Sequence, residues 1–268
     1  MQDSALCESF RVDGGTPDHT ITVSFSDRPP AIPDGALSRN VLHRWYTGAA
    51  RMTFRCYSLS SGSAQWTFAR TEGNRTELVF SEWYRPYLST RTVLESSDFF
   101  DLLAAHDRLI LHACYVRRPD GRAILFSGPS GVGKSTQGRL WEQFAGATVC
   151  NGDRTLIHVE KRTANGIFYA GTSKICRNVT SELAAVVLLR QGKENRVSAL
   201  RKSEAFARIW SQCAYYDWDP AAANRMTELV ARLVGTVPVM ELTCQPEESA
   251  VRVLEEALRR NEHGSIQR

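Results

Sequence analysis

Gly128-Pro129-Ser130-Gly131-Val132-Gly133-Lys134-Ser135 satisfies the pattern G-x-x-x-x-G-K-[ST] at every fixed position. The chemistry it serves is the gripping of a polyphosphate. Backbone N–H groups must converge on the anion, and glycines let the chain curl with no Cβ in the way. Lys134 then brings a point charge to the β- and γ-phosphates, and the Ser135 hydroxyl is placed to ligate Mg2+. Thr136 follows it in the same first turn. A glycine-rich turn that binds nothing is the plainer alternative.

Such a grip needs an acid to orient the metal, carried at the end of a neighbouring apolar strand. Asp153 in GATVCNGD, eighteen residues after Ser135, is the candidate. A turn-forming Asn-Gly-Asp would explain the same letters. His112, inside the apolar run LILHACYV, is either a proton acceptor or a core histidine bonded to a backbone carbonyl. Ser173, Lys174 and Arg177 form a second patch, suited to clamping phosphoryl oxygens or to a solvated loop.

These residues need strands and helices to hold them. AILFS reads as a buried strand running into the glycine-rich loop, and KSTQGRLWEQF as the helix that follows, so a helix N-terminus would face the phosphates. LILHACYV, GATVCN, LAAVVLLR and PVMELTC read as further strands. TLIHVEKRTANGIFYAGT reads as a hairpin turning at Asn165-Gly166. Asp219-Pro220 opens an amphipathic helix stopped near Gly235 and Pro238, and PEESAVRVLEEALRR is a terminal helix that frays in NEHGSIQR. Strands alternating with helices predict an α/β layer from about residue 105 onward.

Upstream, short runs such as HTITVSF, RMTFRCYSL, WTFAR and TELVFSEWY alternate with turn formers, the pattern of antiparallel strands. SSDFFDLLAAH reads as a short connecting helix capped by Ser96 or Ser97. The division expected is a β-rich module over 1–104 and a catalytic domain over 105–268. The aromatics Trp45, Tyr46, Trp66, Trp83 and Tyr84 of the module are either core or a surface for a substrate peptide.

His112, the loop GPSGVGKS and GDR at 152–154 together resemble the catalytic domain of HPr serine kinase/phosphorylase, and more closely the HPr kinase-related proteins. The resemblance extends over about residues 105–260 and includes GTSK, CRN and QGKENRVSALRKSEAF. It implies an α/β fold with the P-loop-containing core that this family shares with phosphoenolpyruvate carboxykinases. It also implies ATP- and Mg2+-dependent phosphoryl transfer to a hydroxyl, most often a serine of a peptide or protein.

By that resemblance Gly128, Ser130, Gly131, Val132, Gly133, Lys134, Ser135, Thr136, Lys174 and Arg177 would bind the nucleotide. Ser135 and Asp153 would hold the metal, and Asp153, His112 and Lys134 would carry the chemistry. One departure stands out: Gly152 occupies the place where the family usually has the first of two acids, its general base. Asp153 must then do both jobs, another residue must substitute, or phosphorylation is weak or absent. The alternatives are a nucleotide-binding sensor without turnover and a carboxykinase-like enzyme. ATP, GTP and pyrophosphate all remain open as donor.

Composition agrees with a folded enzyme. The 268 residues are 43% hydrophobic and 23% charged, which excludes a disordered or collagen-like chain. Thirty-three basic against 29 acidic side chains give +4, too mild to demand nucleic acid as a partner. The first hundred residues hold 10 Arg, no Lys and 11 acids, so the positive excess lies downstream with the loop. Seven cysteines without a C-x-x-C pair predict buried free thiols in a reducing compartment. No apolar stretch approaches a membrane span, and a cytoplasmic location and a possible homo-oligomer are the expectations.

Overall fold

The computed structural model describes residues 5–60, 63–169 and 171–265. The chain is mixed α/β, with two mixed sheets and flanking helices. It divides into two compact units, one of residues 1–106 with 216–220, the other of 107–215 with 221–268.

The first unit begins with α1 (Ala5–Glu8) and builds its sheet from β1 (Thr20–Ser26), β2 (Leu37–Arg39), β3 (Leu42–Thr47), β4 (Ala50–Ser58), β5 (Gln65–Glu72) and β6 (Arg75–Ser81). The spatial order is β1-β6-β5-β4-β3-β2. Not all of it is antiparallel as expected: β1 lies parallel to β6, Thr20 opposite Arg75. The sheet buries Ala69, Leu78 and Phe80 beneath Tyr84, Leu88 and Val93, which follow the strands in sequence. Trp66 is wholly buried and Trp45 half-buried, so of the five aromatics only Tyr46 is exposed.

Two helices follow, α2 (Thr90–Ser96) and α3 (Phe99–Ala105). The residue at the start of α3 is Asp98, at φ 59°, rather than Ser96 or Ser97. Ser96 ends α2 instead, with its carbonyl accepting from Arg55. Asp98 adopts the left-handed conformation because its carboxylate turns into the unit, against Arg44, Arg51 and Arg55.

The second unit contains β7 (Arg108–Arg117), β8 (Ala123–Ser127), α4 (Lys134–Ala145), β9 (Thr148–Asn151), β10 (Arg154–His158), β11 (Thr163–Asn165), β12 (Thr180–Gln191), β13 (Arg196–Ala199), α5 (Lys202–Trp210), α6 (Pro220–Thr236), β14 (Val239–Cys244) and α7 (Glu248–Ser265). Its sheet runs β11-β10-β7-β8-β12-β14-β13, with β9 on β7 and β11 also paired to the start of β12. β8, β12 and β14 are mutually parallel. Every residue of β8 is buried, as its unbroken apolar run requires of a central strand.

α4 packs on this sheet so closely that a Cβ on Gly138 would lie 2.7 Å from the Cys114 sulfur. Cys114, Ile124, Phe126, Trp141, Val187 and Leu254 are among the core side chains that join strands and helices. Two expectations are corrected. The hairpin of β10 and β11 pairs Leu156 with Asn165 and turns through residues 159–162, where Arg162 has φ 53°. The glycine of Asn165-Gly166 serves another need: a Cβ there would stand 1.8 Å from the Arg177 carbonyl oxygen. The terminal helix also continues through Ser265 instead of fraying after Arg260.

Among the described residues no disulfide is present, and of the seven cysteines Cys114 and Cys150 are the buried ones. Among the described residues no helix is long and apolar enough to cross a membrane.

Candidate phosphate-binding and proton-transfer site

The loop between β8 and α4 bends through three glycines in the left-handed region: Gly128 at φ 144°, Gly131 at 79° and Gly133 at 113°. Side chains there would be strained, which is the physical need for glycine. Val132 N–H closes the loop on the Pro129 carbonyl at 3.3 Å, and Gln137 N–H makes the first bond of α4, to Gly133. Among the described residues no backbone carbonyl takes the N–H groups of Gly131, Gly133, Lys134, Ser135 or Thr136. Five unspent donors at a helix N-terminus form a ready anion cradle.

Lys134 is 7% exposed, and its ammonium donates to the carbonyls of Gly128 at 2.8 Å and Pro129 at 3.0 Å. The charge is thus folded onto the rim of the cradle. Burial pushes the Lys134 ammonium below its usual value, and the negative charge of Asp153 opposes that shift. Ser130 and Ser135 are exposed, Val132 and Thr136 half-buried.

Asp153 is placed by backbone and side-chain bonds. The side-chain oxygen Oδ1 of Asn151 accepts the N–H groups of Asp153 at 2.9 Å and Arg154 at 3.0 Å. Its amide in turn donates to the carbonyls of Ile167 and Tyr169. Fully buried Asn151 therefore nails the Asn-Gly-Asp turn to the chain opposite. Asp153 accepts the Ala113 N–H at 3.0 Å through its own carbonyl, and β10 then pairs Arg154 with His112.

His112 Nε2 consequently lies 3.4 Å from Asp153 Oδ1, and Arg154 Nε 3.6 Å from Asp153 Oδ2. The Arg154 guanidinium also sits 5.3 Å from the Tyr169 ring centre. Burial first, and the Lys134 charge second, lower the pKa of His112, while Asp153 raises it. The imidazole is neutral near pH 7 and able to take a proton. Lys134, Asp153 and His112 thus act on one another electrostatically.

Arg177 Nε donates to the Val149 carbonyl at 3.2 Å, and Lys174 is exposed at φ 54°. Ser173 enters the site differently from expectation: a Cβ added to Gly152 would stand 2.8 Å from its Cβ. The space that an acid at 152 would need is already filled. Gly171 lies against Asp153 in the same manner, its absent Cβ 2.6 Å from the carboxyl carbon.

Sequence reasoning missed the far wall. Residues 211–214 lie alongside β7, with His112 N–H donating to the Gln212 carbonyl and Ala214 N–H to that of Ile110. With Ile110, His112, Asp153 and Arg154 they enclose a cavity of about 320 Å3. An irregular segment making two strand-like bonds has no periodicity to betray it. Among the described residues no group of three or more His, Cys, Asp or Glu side chains is arranged to hold a metal ion. A hydroxyl at Ser135 and one carboxylate at Asp153 suit Mg2+, which takes few protein ligands and completes its shell with phosphate oxygens and water. The chain matches no protein-family model, and no curated protein matches it.

Proposed function

We propose that this protein is a kinase of the HPr kinase-like kind, built on a P-loop-containing core, which transfers the γ-phosphoryl of ATP to a hydroxyl, in the first instance a serine of a peptide or protein. The observation that carries the proposal is the set of five unspent N–H groups from Gly131 to Thr136 with the Lys134 ammonium at their rim. Phosphoryl transfer is mostly placement and charge neutralisation, and this cradle supplies both. Ser135 and Asp153 would hold Mg2+, which when bound neutralises charge between the β- and γ-oxygens.

The acceptor hydroxyl lies in the cavity beside His112 and Asp153 in this reading. Its oxygen bonds to the γ-phosphorus as the bond to the β,γ-bridging oxygen breaks. The hydroxyl proton passes to Asp153 or to the neutral His112, 3.4 Å away from it. Asp153 is left to do this without a neighbouring acid, since Gly152 faces Ser173. That same observation favours a second reading, a nucleotide-binding sensor without turnover.

Titration with Mg·ATP tests the cradle. Lys134→Ala is expected to weaken binding by about 10- to 100-fold, the worth of a charge-assisted contact of about 1.5–3 kcal/mol. Unchanged affinity would refute the phosphate role. ADP release with serine peptides then separates kinase from sensor: tight binding with no release leaves the sensor alone standing.

A further inference from the structure

Phosphoryl transfer gives Asp153 and His112 work to do, and none to the cation that shares their cavity, Arg154. Arg154 opens β10, where Asn151 Oδ1 holds its N–H at 3.0 Å and its backbone pairs with His112 of β7. Residues directly opposite in an antiparallel pair share a face, with Cβ atoms about 4.5–5.5 Å apart. The Arg154 side chain therefore stands beside the imidazole, on a strand, and both line the cavity of about 320 Å3.

The bonding capacity of this guanidinium is unspent. It carries five N–H donors in a planar fork that matches a carboxylate in two parallel bonds. Among the described residues the Arg154 side chain makes no hydrogen bond: Asp153 Oδ2 lies 3.6 Å from its Nε, and Tyr169 offers a ring face at 5.3 Å. Arg154 and Asp153 are 39% and 35% exposed, so water screens their attraction and a well-aligned acceptor displaces it readily. Apart from these two and His112, every residue around the cavity is uncharged, Ser211, Gln212 and Cys213 among them. The ring of Tyr169 favours one place for the guanidinium, and no side chain of the cavity engages its fork.

We propose that Arg154 is a specificity residue for the acceptor, selecting a serine that has a carboxylate within two residues of it. In the kinase reading, on which this rests, the acceptor hydroxyl lies beside His112 and Asp153. An extended peptide advances about 3.3–3.6 Å per residue, so the nearest neighbours of that serine come within reach of a guanidinium one strand away. The carboxylate belongs either to an acidic side chain or to a chain terminus close to the serine, since the fork binds both in the same way. Arg154 then contributes to binding the acceptor and leaves the donor phosphates to Lys134 and the loop.

The experiment offers serine peptides to the full chain with Mg·ATP. One set has both ends blocked and carries Asp or Asn at one of the two positions on either side of the serine. The other set ends within two residues of the serine, as the free acid or as the amide. The value of kcat/KM is expected to be at least about tenfold higher for a carboxylate peptide than for its amide counterpart, chiefly through KM. Whichever set shows the difference names the source of the carboxylate. Peptide affinity measured without nucleotide should follow the same order. Arg154→Gln is expected to shrink the difference at least about threefold with Mg·ATP affinity unaltered, and Arg154→Lys to keep part of it. Equal values for carboxylate and amide peptides in the unaltered protein, a comparison that needs no variant to fold, would overturn the proposal and leave the kinase reading standing. A preference that Arg154→Gln leaves intact would do the same. A fall in kcat for all peptides alike in that variant, or weaker binding of Mg·ATP, would overturn it by assigning Arg154 to the phosphoryl group. Binding of Mg·ATP with no peptide phosphorylated would overturn the kinase reading and this proposal with it.

Discussion

His112 stands in the field of Lys134, and the direction of each one's shift fixes where the proposed activity should fade. Burial and the Lys134 charge put the imidazole below its ordinary 6.5, so it stays neutral and able to accept a proton into more acidic solution than a free histidine would. Lys134, held below 10.5 chiefly by burial, gives up its charge earlier on the alkaline side. The expected profile of kcat/KM against pH is a bell with its acid limb below 6.5 and its alkaline limb below 10.5. An acid limb that survives unchanged in His112→Asn would remove His112 from the proposed proton transfer. Gly152 poses the sharper question. Restoring an acid by Gly152→Asp drives a Cβ to 2.8 Å from the Ser173 Cβ. That crowding is expected to destabilise the fold by about 1–3 kcal/mol and to lower turnover rather than raise it. Adding Ser173→Gly should return stability and turnover together, and melting curves beside peptide phosphorylation assays check both halves.

The elements divide into those written in local pattern and those set by distant partners. β8, wholly buried and uniformly apolar, and α6, with Met226, Leu229, Val230 and Leu233 on one buried side, are legible because periodicity alone defines them. So is the glycine-rich loop, whose requirement for positive φ is met by its own residues. The parallel pairing of β1 with β6 is not legible, since the partner lies some fifty residues away and nothing in either strand specifies its direction. Residues 211–214 escape for the same reason, as their order comes from Ile110 and His112 of β7, in the stretch that β8 does not pair with. Asn165-Gly166 misleads more instructively. The pair is a strong turn signal, yet the turn falls at 159–162 and Gly166 is dictated by the backbone of residues 177–178 crossing it. Gly166→Ala should therefore cost more than an exposed turn substitution does: about 2–4 kcal/mol, because the obstructing atom is the Arg177 carbonyl oxygen, which cannot swing aside. Urea unfolding of the variant measures this, and a loss under about 0.5 kcal/mol would show that residues 177–178 yield freely.

At the scale of the whole chain, a pentapeptide more than a hundred residues downstream belongs to the first unit. Tyr216–Pro220 joins residues 1–106, and the reason is electrostatic. Arg44 is fully buried, and Arg51 and Arg55 are nearly so. Asp98 and Asp101 are two buried carboxylates facing three guanidinium groups. Asp219 supplies the third, accepting from Arg44 at 2.7 Å and from the Tyr46 hydroxyl at 2.6 Å. Tyr216 adds its ring face 4.6 Å from the Arg44 guanidinium carbon. Burial alone would raise the Asp98 carboxyl, but Arg55, Arg44 and Arg51 outweigh it and hold that group far below the usual carboxylate range. Without Asp219 the cluster carries an uncompensated buried positive charge. Breaking a buried pair from one side costs about 3–5 kcal/mol, so Asp219→Asn should lose most of that, and Asp219→Glu should lose a smaller part by keeping the charge at an altered reach. For the same reason residues 1–106 expressed alone should unfold at lower urea than the same unit does within the full chain. Equal midpoints for the fragment and for the unit in the full chain would mean that the first unit balances its three arginines without help from residue 219.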